Sequence, residues 1–243
     1  MDFFVIILNM SQRIISFIKG EYYHIFNRGN SKQKIFIDDK DRDRFVKLLY
    51  LCNSNKNIRF REDIIEKEIN AFEFDRGQEI VSIGAWVLMP NHFHLYLTLH
   101  QGKTLGKGEK DKIENGVSLF MKKVCTAYTM YFNKKYKRTG TLFEGKFKSV
   151  HVARDVQAKY LFSYIHLNPV KLINPNWKEE GIKNKKEVIK YLNKYRWNSY
   201  KDYMMEKRNE NKILNKEDFP DYFSTKKIME KEIFDWLMFN QED

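Results

Sequence analysis

Cysteine is scarce in this 243-residue chain: Cys52 and Cys125 are the only two, far apart and without Cys-x-x-Cys spacing. That excludes a disulfide framework and a cysteine zinc site, and it fits a reducing cytoplasm. Long apolar runs are also missing. The opening Phe3-Phe4-Val5-Ile6-Ile7-Leu8 is too short to span a bilayer and lacks both a basic lead and a small-residue cleavage site, so it reads as neither anchor nor signal. Met10 reads equally well as the start, and residues 1–20 are taken as an N-terminal extension. The glycine-rich stretch Gly102-Lys103-Thr104-Leu105-Gly106-Lys107-Gly108 misses the spacing of a phosphate loop, which removes a nucleoside-triphosphatase reading. There are no convincing internal repeats.

Positive charge, by contrast, is in excess. Lys plus Arg number 44 against 32 Asp plus Glu, a net +12 with a pI near 9.4, which points to a polyanionic partner and first of all to nucleic acid. Residues 101–150 hold twelve basic and four acidic side chains, +8 of that +12 in about a fifth of the chain. A basic run can be no more than a solvated face, but here it is interleaved with rings. Tyr131-Phe132-Asn133-Lys134-Lys135-Tyr136-Lys137-Arg138 and Lys146-Phe147-Lys148 combine charges that neutralise phosphates with aromatic faces on which unpaired bases stack.

The pattern along the chain predicts an α+β fold. Tyr22 to Asn27 reads as a strand broken by Arg28-Gly29-Asn30. A helix follows, capped by Asp38 or Asp39, with Phe45, Leu48, Leu49 and Cys52 on one stripe. Residues 55–78 read as a charged insertion or a second short helix. Glu79 to Leu88 reads as a strand that turns at Met89-Pro90-Asn91 into an antiparallel neighbour. Gln101 to Asn115 reads as a flexible loop and Val117 to Asn133 as a second helix. Phe143 to Val152 contains a strand, and Asp155 can cap a third helix that runs to Leu167.

The order strand, helix, strand, strand, helix, strand, helix suggests one antiparallel sheet backed by helices on one face, of the ferredoxin-like (RNA-recognition-motif-like) kind. Residues 21–172 form this domain. Residues 173–243 read as an aromatic and basic helical appendage, with a polar linker over 205–220 and a last amphipathic helix over Thr225 to Phe239.

Chemistry concentrates in Val87-Leu88-Met89-Pro90-Asn91-His92-Phe93-His94-Leu95-Tyr96-Leu97. Strand alternation puts His92, His94, Tyr96 and Thr98 on one face and Phe93, Leu95, Leu97 and Leu99 on the other. One face is expected to be core and the other a chemical surface, on which two imidazoles can grip one divalent ion. A plain reading, two half-exposed histidines on an amphipathic strand, stands beside it.

In Tyr160-Leu161-Phe162-Ser163-Tyr164-Ile165-His166-Leu167-Asn168-Pro169-Val170, Tyr164 and Asn168 are four apart and share a helical face. Asn168 can offer a carboxamide oxygen to a metal held by His92 and His94, with Tyr164 beside it as a nucleophile. Read alone, Tyr164 is an ordinary core aromatic, and Asn168 a helix end that Pro169 pushes toward extended backbone. His24, His100, His151 and His166 are read as structural. Arg28 is a further candidate DNA contact.

These segments together resemble a known family. Tyr23-His24-Ile25-Phe26-Asn27-Arg28-Gly29, Trp86-Val87-Leu88-Met89-Pro90-Asn91-His92-Phe93-His94, Gly140-Thr141-Leu142-Phe143-Glu144-Gly145-Lys146-Phe147, Tyr164-Ile165-His166-Leu167-Asn168-Pro169-Val170 and Trp197-Asn198-Ser199-Tyr200 follow one another between about residues 22 and 203. In this the chain is similar to the single-tyrosine transposases of the histidine-hydrophobic-histidine superfamily, and most closely to the branch associated with repetitive extragenic palindromes.

By this resemblance His92 and His94 match metal ligands, Tyr164 the nucleophile, and Asn168 the third ligand, where insertion-sequence relatives more often carry glutamine. The resemblance implies Mg²⁺ or Mn²⁺ and cleavage and rejoining of single-stranded or hairpin DNA through a 5′-phosphotyrosine. It leaves open a monomer or a homodimer, and it implies no membrane. Ligand type alone also admits Zn²⁺. A hairpin-binding protein without turnover and a metal-dependent nuclease using water remain as alternatives, with relaxases and rolling-circle initiators behind them.

Overall fold

The computed structural model describes residues 16–100, 116–182, 184–204, 206–221 and 225–238. The loop expected over 101–115 and most of the extension over 1–20 lie outside the described residues. Four strands, β1 (Tyr22–Arg28), β2 (Val81–Met89), β3 (His92–Leu99) and β4 (Lys148–Val152), form one sheet in the order β2-β3-β1-β4, every pair antiparallel. With a helix between β1 and β2 and another between β3 and β4, this is the βαββαβ ferredoxin-like arrangement. β2 and β3 are joined by Pro90-Asn91 alone. Pro90 has no N–H to lose from the ladder, and its carbonyl accepts from Ile35 N (2.9 Å) and Phe36 N (3.1 Å), which ties the hairpin tip to the loop before α1.

Helix α1 (Asp39–Cys52) begins in a capping box: Asp38 accepts from Asp41 N at 3.0 Å, and Asp41 returns the bond to Asp38 N at 3.3 Å. Its buried stripe Phe45, Leu48, Leu49 and Cys52 meets helix α2 (Gly116–Lys135), which buries Val117, Phe120, Met121, Val124 and Tyr128. Both pack on the sheet face carrying Phe93, Leu95, Leu97 and Leu99. Phe45 stands 5.0 Å from Phe93 and meets Tyr128 edge-on at the same distance. The interval 55–78 contains short helical turns at Phe60–Ile65 and Ala71–Glu73.

The expectation of helices on one face is corrected. Helix α3 (Asp155–Leu167) lies across the opposite face, and Leu161, Phe162 and Ile165 bury against Ala85, Val87, Met89 and Tyr96 in a second apolar core. The signal for this was in β2, whose nine residues are all buried. A strand with Ala85, Val87 and Met89 on one side and Trp86 and Leu88 on the other has two faces to hide.

The segment after 173 runs along the outer edge of β2. Trp197 O accepts from Leu88 N (2.9 Å), Ser199 N donates to Trp86 O (3.0 Å), and Ser199 Oγ accepts from Trp86 N (3.0 Å). Within residues 205–220, Asn215 N donates to Ile83 O (3.0 Å), and Ile213 is buried in the first core. These two segments satisfy polar groups that an edge strand would leave open. A register shift between Ile83 and Ala85 sets Gly84 outside the ladder, and its carbonyl accepts from Tyr203 Oη at 2.6 Å. The Phe219 ring lies where a side chain would project, since a Cβ on Gly84 would come within 2.8 Å of it. Helix α4 (Lys185–Lys194) and helix α5 (Lys226–Met238) complete the described chain, and none of its helices is long and apolar enough to cross a membrane.

The end of α2 is anchored to the start of α1 through Asp41, which is fully buried. Lys135 Nζ reaches Asp41 Oδ1 at 2.6 Å and both Asp38 oxygens at 2.8 Å, while the hydroxyls of Tyr136 (2.8 Å) and Tyr131 (3.1 Å) donate to Asp41. Removing one member of such a network strands the others. Asp41→Ala is expected to cost about 3 to 5 kcal/mol in urea denaturation; a loss below about 1 kcal/mol would show that the helices do not depend on it.

Candidate active site

Alternation along β1 and β3 delivers three imidazoles to the face under α3. On β3, His94 lies opposite Phe26 of β1 and Val87 of β2, and His24 of β1 lies opposite Tyr96. His24 Nε2 and His94 Nδ1 are 2.8 Å apart, with only 4% and 7% of the two residues exposed. The His92 and His94 rings are 5.0 Å apart and nearly perpendicular. His92 Nδ1 meets Asn91 Oδ1 at 2.7 Å. Because that oxygen only accepts, the proton of neutral His92 sits on Nδ1.

Burial keeps His24 and His92 neutral. His92 is lowered to about 4, first by desolvation and then by the neighbouring charges of Lys171 and Arg28, with the Asn168 carboxamide pulling the other way. His24 is lowered to about 3 by desolvation alone.

Helix α3 supplies the other half. The Tyr164 ring meets His94 edge-on at 5.3 Å and stands 6.5 Å from His24, with Tyr160 stacked 6.2 Å behind it. Burial raises the Tyr164 pKa above that of an ordinary phenol, while Asn168 acts against that rise. Asn168 does not go extended before Pro169, as expected of it alone. It stays helical at φ −50° and ψ −41° and donates its N–H to Tyr164 O. The backbone runs straight on into a tighter turn, Asn168–Leu172, in which Pro169 occupies an initial position where no N–H is required. That continuity keeps the Asn168 side chain one turn from Tyr164. Its Oδ1 and Nδ2 are both buried, close enough to His92 and Tyr164 to influence the titration of each.

The donor set suits a divalent ion. Nδ1 is already engaged in both His92 and His94, so Nε2 is the nitrogen by which each ring would bind, the arrangement in which a second hydrogen bond fixes a ligating histidine. Asn168 Oδ1 adds a buried oxygen that lacks a hydrogen bond within the protein. Among the described residues no group of three or more His, Cys, Asp or Glu is placed to hold a metal.

The candidate DNA contacts divide. Lys148 lies opposite Phe26 on β4 and so shares the face and row of His94, and both Lys146 and Lys148 are exposed. Lys134 and Lys137 are exposed at the end of α2, which packs on the other side of the sheet. Asp38 and Asp41 take up Lys135, and Asp41 takes the Tyr136 hydroxyl. Arg138 bonds the Thr141 carbonyl at 3.1 Å, and Arg28 pairs with Glu144 across an exposed surface.

Sequence reasoning missed His24 and Lys171. The signal for His24 was its parity: it shares a β1 face with Phe26, next to the histidine strand. His166 is structural as expected, bonding Phe162 O (2.8 Å) and Ser199 Oγ (2.7 Å). At the far end of the β2-β3 hairpin, Ser82 Oγ (2.8 Å) and Asp218 (3.2 Å) both meet Nδ1 of His100. A catalytic relay needs its nucleophile and its orienting carboxylate on opposite ring nitrogens, so this cluster is a structural joint.

No family model matches the chain, and no curated protein matches it. Solved structures similar in fold include the following two. One is a REP-associated tyrosine transposase bound to a REP hairpin, 15% identical with a TM-score of 0.42, the match covering 80% of this chain and 86% of that one. The other is a bacterial tRNA(His) guanylyltransferase-like protein in complex with ATP, 12% identical with a TM-score of 0.36 over 77% of each chain. At these identities and scores neither likeness assigns a role to any residue.

Buried neutral histidines carry a pH signature. His24 and His166 titrate at about 3 and His92 at about 4 in the folded chain, against about 6.5 unfolded. Below pH 6.5 the unfolded state therefore binds more protons, and stability falls as the pH drops toward 4. Urea midpoints measured from pH 7.5 to 4.5 are expected to decline steadily; a midpoint unchanged over that range contradicts the neutral assignment.

Proposed function

We propose that this protein is a metal-dependent single-stranded DNA endonuclease and strand transferase, with Tyr164 as the nucleophile. The observation that carries the reading is the Tyr164 ring lying 5.3 Å from His94, with the Asn168 carboxamide next to both His92 and Tyr164, all within one chain. A nucleophile, two neutral imidazoles and a buried amide oxygen meet on one sheet face, as the motif resemblance implies.

His92, His94 and Asn168 would hold Mg²⁺ or Mn²⁺, which when bound would polarise the scissile phosphate and ease phenol ionisation nearby. The Tyr164 oxygen attacks phosphorus and loses its proton. The bond from phosphorus to the 3′-oxygen breaks, and that oxygen leaves as a 3′-hydroxyl while the 5′-phosphate stays on the tyrosine. In the reverse sense a 3′-hydroxyl attacks the phosphotyrosine and rejoins a strand, so ester bonds are exchanged in equal number and no ATP is consumed. Tyr160, stacked behind Tyr164, restricts the attacking ring to a narrow range of positions. Lys148, and Lys171 near His92, would neutralise the strand near the site, and Lys134, Lys137 and Lys146 would extend the basic surface. Hairpin-forming DNA is the target class that the resemblance suggests.

Incubating the full chain with single-stranded hairpin oligonucleotides and Mn²⁺, followed by a denaturing gel, is expected to give a shifted protein–DNA band. Tyr164→Phe should abolish that band while changing DNA affinity less than about threefold. Cleavage without a trapped band would indicate water as the nucleophile. Binding without cleavage would indicate a hairpin-binding protein.

A further inference from the structure

We infer that His24 decides which nitrogen of His94 carries the proton, and with it whether His94 can act as a metal ligand. The inference rests on the metal-site reading above. His24 Nε2 and His94 Nδ1 are 2.8 Å apart, and both residues are buried, so one proton occupies the gap between them. If His94 donates it, the proton is on Nδ1 and Nε2 offers a lone pair to a metal. If His24 donates it, neutral His94 carries its proton on Nε2 and cannot ligate.

His92 faces no such choice, because Asn91 Oδ1 accepts only. The two rings of the histidine pair are therefore unequal: one is locked in the ligating form and the other is set by its neighbour. Nδ1 of His24 is buried and has no hydrogen-bond partner among the described residues. His94 Nε2 is equally buried, so each arrangement places one N–H in the interior, on His94 Nε2 or on His24 Nδ1, and the pair by itself does not choose between them. A bound metal would select the arrangement in which His94 donates: relative to the other, His94 gains a proton on Nδ1 from His24 and loses the one on Nε2, His24 gains one on Nδ1, and the pair releases no net proton. His24 is thus a positioning residue, acting only through His94.

The test compares Mn²⁺ affinity of the native chain, His24→Leu and His24→Gln by calorimetry, without DNA. Leucine offers no acceptor and strands the His94 Nδ1–H, so a 10- to 100-fold loss is expected. Glutamine can accept through Oε1, and its affinity should stay within about threefold of native or exceed it. Ring-nitrogen NMR of the native chain should show the His94 proton on Nδ1, shared with His24, at Mg²⁺ saturation. Folded His24→Leu with native affinity, or a His94 that keeps its Nε2 proton at Mg²⁺ saturation, overturns the inference and leaves the metal reading intact. If His24→Leu fails to fold, the NMR measurement on the native chain decides alone. A native chain that binds no Mn²⁺ overturns the metal reading and this inference together.

Discussion

The packing of α3 against the second face of the sheet is the constraint on which the candidate site depends. The pair on β3 and the imidazole on β1 are held by strand register, but Tyr164 and Asn168 arrive only because Leu161, Phe162 and Ile165 seat the helix on Ala85, Val87, Met89 and Tyr96. Those contacts are apolar and non-directional, so they set the height of the helix above the sheet and leave its rotation to be fixed otherwise. The His166 bond to Ser199, which is itself bonded to Trp86, supplies that directional restraint. A polar joint at one end of α3 thus completes what the apolar seam begins.

The same packing sets the electrostatics. Covering the histidine face with a helix removes water from it, and desolvation is the largest influence on His24, His92 and Tyr164 alike. The imidazoles are thereby kept in the neutral form that ligation requires, while the phenol is kept protonated. Both effects have one cause: burial disfavours the charged form of each group, imidazolium and phenolate alike.

Much of this was legible in the sequence. The element order, the Asp38 cap, the strand parity of His92 and His94 and the four-residue spacing of Tyr164 and Asn168 each follow from a local rule, and local rules survive folding. What was not legible is long-range. Nothing near Pro169 says that the chain stays helical through Asn168; the tight turn that follows and its docking decide that. Asp41, about ninety residues from Lys135 and Tyr136, takes two side chains that composition alone assigns to DNA. His24 looks like any strand histidine until β1 is seen pairing with β3.

The cover along β2 bears on how this chain can be divided. Trp86 and Leu88 find backbone partners at Trp197 and Ser199, and Ile83 finds one at Asn215. Cutting after residue 172, where motif content thins out, would return β2 to solvent with bare amides and carbonyls and would also remove the hydroxyl that steadies α3. A fragment trimmed to its recognisable motifs would keep every reactive side chain and lose the scaffold that aims them.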